Sequence, residues 1–193
     1  LLQEYQSLKV GTLARLSDVS RLYGRKNVAD AVAILQQMVR DDPRSERGWF
    51  LLGQIHIHLG DLAYAEQCLK TAVQCAPDSA DAYFLLGVAL QRQNKLESAA
   101  RIFRRLIELK PNDGTAYNAL GVCLRQLDDD GALAAFEQAV LAKPDLLAAH
   151  VSLVELYAES GRMPEATEHL EYAMSLSPDN PQVLLLKERL LGP

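Results

Sequence analysis

The chain is 193 residues long, 49% apolar and 23% charged, the balance of a globular protein large enough to bury a core. A net charge of −5 argues against a general nucleic-acid binder, and no apolar run approaches the ~20 residues that cross a bilayer. Neither nucleic acid nor membrane insertion is therefore expected. Three cysteines, an odd number, do not make a disulfide framework. Reduced thiols are predicted, and with them a cytoplasmic setting. No signal-peptide pattern opens the chain, and a start at Leu1 rather than Met predicts a piece of something longer.

In chain order, residues 1–11 read as part of a helix, after which one pattern recurs over 12–45, 46–79, 80–113, 114–146 and 147–180. Within 80–113, a helical stretch runs from Ala80 to Arg92, NKLES breaks it, and a second amphipathic stretch runs from Ala99 to Leu109. Proline then ends the pair, because it lacks an amide hydrogen and disfavours helix in the residue before it. Pro43, Pro77, Pro111, Pro144 and Pro178 stand 34, 34, 33 and 34 residues apart, and Ala31, Ala65, Ala99, Ala132 and Ala166 keep the same gaps. The missing residue falls between Gly121 and Ala132, around the turn LRQLDDDG. Asp78, Asn112, Asp145 and Asp179, each following a proline, are predicted to cap the next helix. PQVLLLKERLL, Pro181 to Leu191, reads as a capping helix within 181–193. No stretch alternates with period two, so no strand is expected.

Gly53, Gly87 and Gly121 recur inside helices at one interval, although an interior glycine costs about 1 kcal/mol relative to alanine. Close helix approach offsets that cost if Gly53 faces Ala65, Gly87 faces Ala99 and Gly121 faces Ala132. Val154 in the last unit predicts a slightly wider hairpin.

Trp49, Leu52, Gly53, Ala65, Leu69, Ala72 and Pro77 in one unit, and Tyr83, Leu86, Gly87, Ala99, Phe103 and Pro111 in the next, resemble the tetratricopeptide repeat. The resemblance covers residues 12–180, most weakly over the first helix of 12–45. It implies an all-α, right-handed superhelical solenoid of about five helix-turn-helix repeats with a C-terminal capping helix. It also implies a non-catalytic scaffold or adaptor that binds a protein or peptide segment in its concave groove. Two alternatives are a docking or regulatory region of a larger sulfotransferase, hydroxylase or glycosyltransferase, and a scaffold that self-associates through its ends.

The lining positions that the family implies are Phe50, Gln54 and Ile57; Phe84, Val88 and Gln91; Asn118, Val122 and Arg125; and Val151 and Glu155. Phe50 and Phe84 are the telling members, since the core positions beside them are already filled and large aromatics on a groove want a partner. The family's carboxylate clamp needs cations, but the matching positions hold Phe50, Gln54, Leu85, Thr115 and Ala119. Chaperone-tail binding is not expected.

No catalytic constellation, cofactor motif or metal-binding set appears. His56 and His58, two apart, point to different faces of one helix. His56 and His150 fall in inward columns and read as packed side chains.

Overall fold

The computed structural model describes residues 27–192. The part-helix expected over 1–11 and the first helix of the 12–45 unit lie outside them. Among the described residues there are ten helices and no strand. They fall into two compact units, one ending at Asn94 and the other beginning at Lys95. The first unit holds α1 (Val28–Asp41), α2 (Glu46–Leu59), α3 (Leu62–Cys75) and α4 (Ala80–Arg92). The second holds α5 (Leu96–Leu109), α6 (Gly114–Gln126), α7 (Gly131–Ala142), α8 (Leu147–Glu159), α9 (Met163–Leu176) and α10 (Pro181–Leu191). Within each unit, consecutive helices pack on one another.

Two kinds of turn alternate, each set by a few residues. Before each proline, Asp42, Ala76, Lys110, Lys143 and Ser177 leave helical geometry, with φ between −132° and −152°. Their carbonyls accept from the amides of Ser45, Ser79, Asp113, Leu146 and Asn180 at 3.0–3.2 Å, closing β-turns with proline second. The residue after the proline is thus spent inside the turn. The N-cap is the one that follows, so Asp78, Asn112, Asp145 and Asp179 do not cap as expected. Asp113 Oδ1 accepts from the amides of Thr115 and Ala116, and Asn180 Oδ1 from those of Gln182 and Val183. Each such cap stabilises by about 1 kcal/mol.

The turns that follow first helices share one left-handed residue: Gly60 (φ 79°), Asn94 (59°), Asp128 (53°) and Gly161 (73°). These are residue types that tolerate this region. The one-residue shortening comes just after Asp128. There the Ala132 amide reaches the Asp129 carbonyl three residues back, whereas the Ala99 amide reaches the Lys95 carbonyl four back.

The side chain that most crowds Gly53 or Gly121 is not the alanine expected to face it. A Cβ on Gly53 would stand 2.5 Å from Leu69 Cγ, and one on Gly121 2.8 Å from two carbons of the Phe136 ring. The helix makes room for the bulky residue one turn beyond Ala65 or Ala132. In the last hairpin Val154 is fully buried in a cluster with Leu170, the counterpart of those two residues.

The first unit's core gathers Ala31, Leu35, Met38, Val39, Leu52, Ile55 and Cys68, with Trp49 packed against it. At the other end Val151, Val154, Leu170, Ala173, Val183 and Leu186 form one cluster, so α10 closes over the last hairpin. Fully burying one such side chain contributes about 1.5–3 kcal/mol.

Candidate functional site

First helices carry the expected lining, and the i, i+4, i+7 spacing puts each set on one face. In the first unit, α2 carries Phe50, Gln54 and Ile57, and α4 carries Phe84, Val88 and Gln91. Phe84, Val88, Gln54 and Gln91 are half-buried. Phe50 and Ile57 are buried, Phe50 to 9% exposure, with the Arg47 guanidinium 5.4 Å from its ring centre. Phe50 therefore packs like a core residue, and Phe84 and Val88 are the accessible apolar members.

In the second unit, α6 carries Asn118, Val122 and Arg125, and α8 carries Val151 and Glu155. Val151 is buried in the cluster that α10 closes. Arg125 donates to Glu155 and, at 2.7 Å, to Glu159. Burial opposes its charge, yet the two carboxylates outweigh that and hold its pKa above the usual value. Arg125 and Glu155, both expected among the lining, are thus paired with each other. Gln182 on α10 donates to Glu155 at 3.5 Å. Asn118 and Val122 are half-buried, and Asn118 Oδ1 is buried without a hydrogen-bond partner. Such an atom forgoes about 1–3 kcal/mol until something donates to it.

Sequence reasoning stopped the lining at α8, but the 34-residue spacing continues it. Gln182, Leu185 and Arg189 follow Ala148, Val151 and Glu155 by 34 residues each, and all three are exposed. The same spacing that located the other lining residues could have found them.

Two histidines meet in the last hairpin. His150 Nε2 lies 2.8 Å from the Pro144 carbonyl, just as Trp49 Nε1 donates to the Pro43 carbonyl at 2.9 Å. A carbonyl only accepts, so Nε2 carries the hydrogen. In neutral His150, Nδ1 is then the acceptor, and His169 Nδ1–H donates to it across 3.1 Å. His56, by contrast, packs edge-on against Tyr64, centroids 4.4 Å apart. Among the described residues no three His, Cys, Asp or Glu side chains are grouped to hold a metal ion. All three cysteines are free. Burial pushes the Cys68 and Cys123 thiols up to about 11, leaving little thiolate at neutral pH. No helix among the described residues is long and apolar enough to cross a membrane.

Comparison with known proteins agrees with this architecture. One tetratricopeptide repeat profile matches residues 22–79 and 128–190, and a second matches 65–114 and 84–131. The chain belongs to the tetratricopeptide repeat family. No curated protein matches its sequence. Among solved structures, MamA is 24% identical with a TM-score of 0.78, covering 83% of this chain and 94% of its own. YrrB, described as a repeat protein of this family with an unusual peptide-binding site, is 21% identical over 90% of each chain, TM-score 0.74. PilF of Pseudomonas aeruginosa is 18% identical with a TM-score of 0.82, over 95% of this chain and 84% of its own. At such identities the likeness establishes the fold.

Proposed function

We propose that the chain is a non-catalytic adaptor whose first-helix faces hold an apolar or amphipathic segment of a partner protein. The observation that carries this reading is the chemistry of those faces. Phe84 and Val88 in the first unit, and Val122 in the second, are incompletely covered apolar side chains. Beside Val122, Arg125 is already held by Glu155 and Glu159. A partner led by a carboxylate would have to displace those side chains, whereas an apolar one need not. Family membership and the peptide-binding description of YrrB support the same reading. The non-catalytic part rests on the family.

The test is selection of peptides from a random display library against the chain. Selected peptides should be apolar or amphipathic, with affinity nearly independent of salt. Phe84→Ala, Val88→Asp and Val122→Asp should weaken at least some of them about tenfold or more while leaving the helical circular dichroism signal intact. A library whose binders ignore all three substitutions rules this reading out.

A further inference from the structure

We infer that the outward face of α10 is a self-complementary interface on which two copies of this chain pair antiparallel. The helix has three faces. Val183, Leu186 and Leu190 pack inward against the last hairpin, and Gln182, Leu185 and Arg189 continue the lining columns. The third face, at i, i+3, i+4 and i+7, reads Leu184, Lys187, Glu188 and Leu191. All four residues are exposed, the two leucines at 46% and 53%.

By the 34-residue spacing this face is the one that in earlier units carries Trp49, Leu52 and Gly53, or His150, Leu153 and Val154. Those positions receive the second helix of their own hairpin. Here the leucine and glycine columns hold Lys187 and Glu188 instead. A further repeat helix laid on them would bury two charges, so the face is not built to continue the array. Nor is it an ordinary solvated face, because a leucine stands at each end of the charged pair.

The order Leu-Lys-Glu-Leu supplies its own partner. Set against itself about a two-fold axis between Lys187 and Glu188, it places Leu184 on Leu191 of the second copy. Lys187 meets the second copy's Glu188, and each contact occurs twice, as isologous pairing requires. The charges match in this register, and parallel pairing would oppose like with like. One helix face is a small interface, so the dimer should be weak and concentration-dependent. The pairing uses none of the lining columns, so it stands apart from the peptide-binding reading.

Sedimentation equilibrium of the whole 193-residue chain tests it. The parent should dimerise reversibly. K187E and E188K should each weaken the dimer about tenfold or more, since each sets like charges opposite. A 1:1 mixture of the two, or the K187E/E188K double variant, should restore it, because opposite charges face again. Leu184→Gln with Leu191→Gln should abolish it. Since all four residues are exposed, the helical signal should not change. A parent that stays monomeric at about 1 mM, where even millimolar affinity would show, overturns the inference. So do single charge variants that dimerise like the parent, or a mixture that does not recover pairing.

Discussion

Gly121 lies so close to the Phe136 ring that an added Cβ would stand 2.8 Å from both Cδ1 and Cε1. An aromatic ring cannot fold away, so the two helices must separate or the ring must leave its rotamer. Overpacking of this kind costs about 1–3 kcal/mol. Alanine returns about 1 kcal/mol of helix propensity. Gly121→Ala should therefore destabilise by up to about 2 kcal/mol in urea unfolding, and by less when Phe136→Leu is already present. A Gly121→Ala protein with a raised midpoint would show that the contact does not govern the choice of glycine.

Gly161 makes the opposite case. A Cβ there meets nothing within 4 Å, but φ is 73°. Any cost of substitution is therefore conformational. Gly161→Ala should lose about 1–2 kcal/mol, because its Cβ meets the carbonyl in this region. Gly161→Asn should lose much less, since Asn94 and Asp128 already occupy the equivalent turns. Equal midpoints for the two variants in thermal melts would contradict the backbone account.

These glycines also show what the sequence could and could not tell. The 34-residue columns made the helices and their proline stops legible, because each column answers one local demand on the backbone. The partner of Gly121 was not legible. A helical side chain leans toward its own N-terminus and covers the turn before its Cα, so Phe136 reaches the level of Ala132. Capping was misplaced by one residue because the proline turn takes up Asp78 or Asn112 before the helix can start. For the lining, spacing gives the face a residue occupies but not what lies over it. Val151 shares its column with Phe50 and Phe84, yet Val183 and Leu186 cover it.

The Arg125 cluster should respond to salt. Its guanidinium binds two carboxylates, but about a third of its side chain and half of that of Glu159 face water. Screening keeps such a network modest, about 1 kcal/mol. Arg125→Met keeps the aliphatic stem and leaves Glu155 and Glu159 without their cation and mutually repelling. The variant should be less stable than the parent at low salt, and the gap should narrow toward 1 M, where the Debye length is about 3 Å. A salt-independent gap would point to packing instead.

The histidine pair predicts a pH response confined to the last hairpin. Burial, and then the charge of His150, hold the His169 pKa below 6.5, although Glu168 and Glu137 pull the other way. His150 stacks on Tyr172 and His169 on Tyr157, whose hydroxyl donates to Glu137 at 2.7 Å and whose ring lies under Arg162. A proton added at Nε2 of His169 leaves its Nδ1–H donating to His150. The unfolded chain takes up its proton on His169 near pH 6.5, before the folded chain does. Stability from this site is thus fully present above that pH and is lost as pH falls through the lower folded value. The parent's melting temperature should drop between pH 7 and pH 5. His169→Asn, which keeps a donor near Nδ1 but cannot titrate, should drop less. An NMR titration of the His169 ring should place its midpoint below 6.5. A midpoint above that value, or identical slopes for parent and variant, would mean that the pair is not held neutral by the fold.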